Sequence, residues 1–286
     1  MSDRGPVDAS VPIELIAVGN ELLRGLVQDT NSYWLCRQLT GRGGLIERIS
    51  IVPDELESIV KILQQALSAG RSLIVTTGGL GPTHDDLTLE AIAQATGRPL
   101  QLHPAAEQMV SERYEQLAAA GHLKAAKRLS ESRRKMALLP QGAEPLKNGV
   151  GAAPGVLLRQ KESLIVALPG VPPEMRDIFE NSLQPHLRPL FGDLLYEERE
   201  WVTSINDESQ IAPLLKEAQL RWPQVYLKSR ARSFAEGMRI QITLTMSGPP
   251  TKVQTTMKDA SADLVKILAV AGITLHEPSE HESRSH

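Results

Sequence analysis

The sequence predicts an α/β protein: a doubly wound, mainly parallel sheet over residues 13–188, a small α+β unit over 194–275, and flexible ends at 1–12 and 276–286. Three observations carry this reading. Short apolar runs rich in branched side chains alternate with helical patterns through the first part, as parallel strands joined by crossover helices do. Polar loops follow three of those runs, on the side where open parallel sheets bind ligands. From Tyr196 the pattern changes to strand, helix, two strands and helix, with no repeat of the first part.

The elements follow in order. "IELIAV" (Ile13–Val18), "RISIV" (Arg48–Val52) and "SLIVTT" (Ser72–Thr77) read as the first strands. The first crossover helix starts near "DTNSYWLCRQL", where Asp29, Thr30 or Asn31 caps it and Trp34, Leu35 and Leu39 share a face. The second starts at Pro53 and Asp54 and turns Ile59, Ile62, Leu63 and Leu67 to the sheet. "DDLTLEAIAQAT" reads as a third helix from Asp85, with Leu87, Ile92 and Ala95 inward and a stop at Gly97. Two helical stretches follow, "PAAEQMVSERYEQLAAA" and "LKAAKRLSESRRK", then extended "MALLP", "GVLLR" and "SLIVALP". "VPPEMRDIFENSLQPHL" opens a helix at a proline pair and ends before Pro185 and Pro189. In the second part, "YEEREWVTSI", "QVYLKSRA" and "GMRIQITLTM" are strands, and "DESQIAPLLKEAQL" and "TKVQTTMKDASADLVKILAV" are helices.

Composition narrows the function. With 31 basic against 34 acidic residues among 286, the net charge of -3 argues against a globally electrostatic nucleic-acid binder. Cys36 is the single cysteine, so no internal disulfide and no thiolate metal cluster can form. The N-terminal "MSDRGPVDASVP" lacks a signal-peptide pattern and no apolar stretch is long enough for a bilayer, so a cytoplasmic protein without membrane contact is expected. His276, His281 and His286 are scattered through a polar tail at no ligand spacing.

"TTGGLGPTHDD" (Thr76–Asp86) carries most of the chemistry. Gly78, Gly79 and Gly81 clear side chains from a loop whose N–H groups and following helix start suit a phosphate. It is neither a Walker loop nor a dinucleotide fingerprint. Asp85 and Asp86 act either as helix caps or as holders of a divalent cation that offsets their repulsion of the phosphate. "VGNELLRG" (Val18–Gly25) places Gly19 and Glu21 beyond the first strand; Glu21 is either a plain loop acid or a group that serves the metal or orients a water. Asp54 is equally open. "RRKMALLP" supplies Arg134 and Lys135 as cations for a phosphate, or only a solvated helix end. "NGVGAAPG" and "LPGVPPEM" look like walls and backbone donors with almost no reactive side chains.

This ordered set of motifs, from Ile13 to Leu187, resembles the N-terminal region of the CinA (competence and damage inducible) family, part of the wider group of molybdopterin-binding domains. The segment Tyr196–Ile273 resembles the KH-type domain that follows in CinA proteins. The resemblance implies a metal-dependent pyrophosphatase that acts on ADP-ribose or a related dinucleotide such as FAD and releases AMP. It implies a divalent cation (magnesium, cobalt or manganese) with potassium, and a homodimer. Asp86, Lys135 and Glu21 are the expected catalytic residues, with Asp86 and Asp85 as metal ligands. Gly19, Asn31, Gly78, Gly79, Gly81 and Thr83 are expected to bind substrate, as are Arg134, Gly151, Pro169 and Gly170. Arg133 and Met136 replace the Asn and Gln usual in the family, which bears on substrate preference. No segment resembles the nicotinamide mononucleotide deamidase domain of longer CinA proteins, so that activity is not expected. The second part has no GxxG turn, which argues against RNA binding, although Lys228, Arg230 and Arg232 form a basic row. Two alternatives stand beside hydrolysis: a non-catalytic module that binds a nucleotide or molybdopterin, and an adenylyltransferase acting on molybdopterin.

Overall fold

The computed structural model describes residues 11–120, 129–192, 194–234 and 237–277. The chain divides into two compact units, the first made of Val11–Leu39 and Gly44–Gly192. Its elements are β1 (Val11–Val18), α1 (Asn20–Leu23), α2 (Thr30–Thr40), β2 (Gly44–Val52), α3 (Leu56–Ser68), β3 (Leu73–Thr77), α4 (Thr88–Thr96) and β4 (Leu100–Leu102). Then come α5 (Pro104–Ala119), α6 (Glu131–Lys135), β5 (Leu138–Pro140), β6 (Glu144–Leu146), β7 (Gly155–Gln160), β8 (Ser163–Leu168), α7 (Pro172–Asp177), a π-helical segment (Ile178–Leu183) and α8 (Gln184–Phe191).

Six strands form the main sheet in the order β2-β1-β3-β8-β7-β6. The first four are parallel, and β7 and β6 add an antiparallel edge. β3 and β8 are buried along their whole length, which is why they read as unbroken apolar runs. Alternate residues of each central strand feed two cores. Ile16 and Ile74 pack with Ile59, Leu63 and Ile92 of α3 and α4 on one face. Leu15, Leu73 and Val75 pack with Leu35, Leu39 and Phe179 on the other. Phe179 has no exposed surface and meets Trp34 edge-on, with ring centroids 5.0 Å apart and planes at 82°.

Several expectations need correction. α4 begins at Thr88 rather than Asp85, so neither aspartate lies in its first turn. Asp29 caps α2 by accepting the Ser32 N–H at 2.9 Å, but Asp54 does not cap α3 and instead accepts the Asn20 N–H at 2.7 Å. Pro185 and Pro189 lie inside the last helix rather than beyond it. The π-helical segment ahead of them accommodates the break, with Gln184 Nε2 donating to the Phe179 carbonyl at 2.9 Å. The sequence reading also missed α1, β6 and the β4–β5 pair, in which Leu100 faces Pro140. Part of the expected "LKAAKRLSESRRK" helix, residues 123–128, lies outside the described residues.

The second unit comprises β9 (Leu195–Thr203), α9 (Glu208–Arg221), β10 (Tyr226–Phe234), β11 (Gly237–Gly248), α10 (Pro250–Val270) and β12 (Leu275–His276). Its antiparallel sheet runs β10-β11-β9-β12. This is the connectivity of the split βαβ unit, with Ile240, Ile242 and Leu244 packed on Val253, Met257 and Leu264 of α10. A KH-type fold was the expectation here; the unit carries none of the GxxG turns such modules use. His276, expected in a frayed tail, pairs with Val202 across β12 and β9, while His281 and His286 lie outside the described residues. Among the described residues, no helix is long and apolar enough to cross a membrane.

Candidate functional site

The sheet order reverses at β1, whose neighbours are β2 and β3, and ligand crevices of open sheets form beyond the carboxyl ends at such a point. Four loops leave the sheet there: Gly19 after β1, Pro53–Asp54 after β2, Gly78 after β3 and Pro169–Gly170 after β8. They surround a crevice of about 610 Å³.

The glycine loop is built into the sheet. Gly78 has φ +94°, and a Cβ there would stand 2.3 Å from the Val18 carbonyl oxygen. Its N–H donates to the Leu168 carbonyl at 3.0 Å, which stitches the loop to β8. The start of α4 closes it from the other side, with the Thr88 hydroxyl donating to Gly78 O at 2.8 Å and the Thr88 N–H to Gly79 O at 3.2 Å. The loop carbonyls are thereby used. The N–H groups of Gly79, Leu80 and Gly81 meet no acceptor among the described residues, so they remain as donors at the crevice wall.

Beyond Gly81 the chain makes one tight turn. Asp86 Oδ2 accepts the Thr83 N–H at 2.8 Å and the Thr83 hydroxyl at 2.6 Å, and the Asp86 N–H returns to Thr83 O at 3.3 Å. Asp85 Oδ1 contacts the same hydroxyl. One proton therefore lies between two carboxylates, which brings Asp85 and Asp86 together at the Thr83 hydroxyl. The Thr83 hydroxyl beside Asp85, and next its own backbone N–H, hold the Asp85 carboxyl below its ordinary range; His84 and Lys135 act in the same direction. Lys135 Nζ donates to the Thr83 carbonyl, so that lysine reaches the acidic turn without lining the crevice.

Other expected residues are distributed unevenly. Glu21 lines the crevice and folds back over Gly19, whose missing Cβ would lie 2.5 Å from Glu21 Oε1. Asn31 is buried and supports the opposite rim, its Nδ2 donating to Gly170 O at 2.7 Å. Gly151 packs beneath the Glu174 carboxylate. Arg134 points elsewhere and pairs with Glu107 at 2.9 Å. Arg133 lies 3.9 Å from the centre of the Tyr114 ring, and both Tyr114 and Met136 line the crevice.

Sequence reasoning missed Glu174 and Tyr114, and left Asp54 undecided. Glu174 lines the crevice from the first turn of α7, where it accepts the Asn148 Nδ2–H at 2.7 Å. A glutamate directly after "VPP" at a strand end was the available signal. Tyr114 had none beyond its place on a helix.

Five carboxylates thus face the crevice, from Glu21, Asp54, Asp85, Asp86 and Glu174, with no lysine, arginine or histidine among its lining residues. Backbone donors suit an anion while the side chains suit a cation, and a ligand with both parts satisfies the two together. Among the described residues no three acidic, histidine or cysteine side chains converge as a ready-made metal cage. The donor set instead fits magnesium, which takes one or two carboxylates and completes its shell with water and phosphate oxygens. Asp85 and Asp86 are the pair that would hold it.

Comparison with known proteins agrees with this architecture. The family described as "Probable molybdopterin binding domain" matches residues 14–189. A protein of Aeropyrum pernix is 41% identical over 257 residues, covering 89% of this chain and 90% of the relative. One of Thermococcus kodakarensis is 39% identical over 223 residues, covering 78% and 86%. The crystal structure of the protein CinA, of unknown function, from Thermoplasma acidophilum is 32% identical with a TM-score of 0.56, covering 63% of this chain and 98% of that one.

Proposed function

The chain belongs to the family of probable molybdopterin binding domains and is CinA-like in its first unit, and from that premise we propose that its crevice binds a phosphorylated nucleotide or pterin together with a divalent cation. The observation that carries this reading is the pairing of unspent N–H donors at Gly79, Leu80 and Gly81 with five carboxylates around one crevice. The glycine loop holds the phosphate oxygens, and the turn at Thr83–Asp86 presents its carboxylates to the cation. Val18, Leu80 and Met136 supply apolar surface, and Tyr114 a ring face, for the heterocycle.

Isothermal calorimetry with AMP and with molybdopterin, in magnesium and in chelator, tests this. Binding that is tightened by magnesium, and that Asp86→Asn weakens in magnesium, supports it; binding of neither compound in magnesium overturns it.

A second reading is turnover, in which the pyrophosphate bond of ADP-ribose or a similar dinucleotide is hydrolysed to release AMP. Glu21 and Asp54 favour it, because they add carboxylates at the β1 and β2 ends of the crevice, where one can accept a proton from an attacking water. Lys135 lies beside the acidic turn as the nearby cation for developing charge. A bound magnesium or cobalt ion would supply charge neutralisation at the phosphates. AMP release from ADP-ribose that Glu21→Gln abolishes while AMP binding persists supports turnover; tight binding with no product leaves the protein a binding module.

A further inference from the structure

A second cavity, of about 400 Å³, lies between α5 and the 147–149 segment and has the opposite character. Arg113 and Lys147 line it with the amides of Gln108, Gln116 and Asn148; its one acid, Glu112, already accepts a hydrogen bond from Gln108 Nε2 at 2.8 Å. Arg113 has only neutral partners, as Arg98 does, but unlike Arg98 it leaves a donor unpaired. Its Nη2 donates to the Val150 carbonyl and its Nη1 to Gln116 Oε1 at 3.3 Å, both neutral, and its buried Nε has no partner among the described residues. Neither Arg113 nor Lys147 forms an ion pair with a carboxylate among the described residues, whereas Arg48, Arg71, Arg134, Arg199 and Arg221 all do.

A half-buried guanidinium whose hydrogen bonds go only to neutral oxygens, lining one polar cavity with an exposed lysine, leaves two cations there without a counter-charge among the described residues. We propose that Arg113 and Lys147 form a phosphate site that takes a phosphate monoester. Phosphate fits the donors better than a carboxylate, because Arg113 and the Gln116 amide come from α5 and Lys147 from the 147–149 segment, and a phosphoryl group offers three acceptor oxygens to be shared between those two walls. The loop from Asn148 to Ala153 separates this cavity from the acid-lined crevice: Asn148 and Gly149 face one, Ala152 and Ala153 the other. Arg113 and Tyr114, neighbours on α5, likewise divide between them. The phosphate is therefore either the far end of a ligand that also occupies the crevice or part of a separate small molecule.

Inorganic phosphate and ribose 5-phosphate, titrated calorimetrically in chelator, test the site apart from the proposed function, since without a cation the crevice acids repel both. The native protein is expected to bind one equivalent of each. Lys147→Gln, at an exposed side chain, is expected to weaken binding about tenfold, and Arg113→Gln at least as much. Asp86→Asn, which tests the crevice, is expected to leave phosphate binding in chelator in place. No binding by the native protein, or native-like binding by a folded Arg113→Gln/Lys147→Gln double variant, overturns the proposal. If the double variant does not fold, Lys147→Gln alone decides it.

Discussion

Replacing Asp86 by Asn removes one negative charge from the crevice but keeps a side-chain oxygen for the Thr83 N–H and hydroxyl, which sit 2.8 and 2.6 Å away in the native turn. The effect on a phosphate ligand then changes sign with the cation. For a phosphate oxygen about 5 Å from the carboxylate, repulsion between unit charges is about 0.8 kcal/mol at the dielectric constant of water and about 3 kcal/mol at an effective value near 20. Asp86 is only half-buried, so the lower part of that interval applies. Relief of about 1 kcal/mol corresponds to about fivefold in affinity. In chelator, Asp86→Asn is therefore expected to bind AMP about fivefold more tightly than the native protein. In excess magnesium the same substitution removes a counter-charge from the ion, and AMP affinity is expected to fall by about tenfold. Calorimetric titrations of AMP under the two conditions, each on a Lys147→Gln background so that the second phosphate site contributes little, read both arms. A variant that binds AMP more tightly in both, or whose affinity is unchanged in both, refutes the idea that these acids carry a cation and leaves them as turn-formers.

Thr83→Val removes the proton shared by the two aspartates, so the Asp85 carboxyl is expected to titrate closer to the ordinary value of about 3.9, as followed by carbon-detected NMR. Because the native Asp85 pKa is depressed, its stabilising contribution is present above about pH 4 and is lost as pH falls through the folded value; the variant is expected to lose the largest part of that acid dependence, the backbone N–H, His84 and Lys135 keeping the rest. Gly78→Ala must place a methyl group 2.3 Å from the Val18 carbonyl, and is expected to abolish AMP binding with a fall in thermal midpoint; a native-like affinity would show that the loop is not clamped by β1. Phe179→Ala is expected to cost about 3–5 kcal/mol in urea unfolding, since the ring is fully buried against Trp34. Arg134→Gln breaks only an exposed ion pair worth about 0–1 kcal/mol and should leave AMP affinity within twofold, about the factor that calorimetry resolves.

The sheet was legible in the sequence because β1, β3 and β8 are buried on both faces and are mainly apolar, the buried Glu14 of β1 being paired with Arg48 and Arg71. The glycine loop was legible because Gly78 occupies a backbone conformation and a space that no side chain shares. What could not be read was the purpose of a short polar side chain. Asp85 and Asp86 have the right chemistry for a helix start, and the Thr83–Asp86 bonds form half of a capping box, yet the chain makes one turn and begins α4 only at Thr88. Asp54 likewise spends its oxygen on the Asn20 N–H rather than on the helix it precedes. Glu174 and Arg113 went unnoticed because their surroundings come from segments distant in sequence, Asn148 for the one and Val150 for the other. The prolines misled for a related reason: a π-helical segment and one glutamine side chain absorb a break that local rules treat as a stop.

The crevice has two walls of different ancestry in the fold. On one side, Gly78 is bonded to β8 and lies within 3.3 Å of where a Gly170 side chain would begin, so the glycine loop's backbone donors inherit the rigidity of the central strands. On the other, the 148–153 loop is fastened by side chains alone: Asn148 to Glu174, Asp177 to Gly149, Arg113 to Val150. Substitutions there can reshape the far side without disturbing a single strand. The backbone donors are thus fixed by the strands, while the far wall is open to redesign, by selection or by hand, at three side-chain contacts.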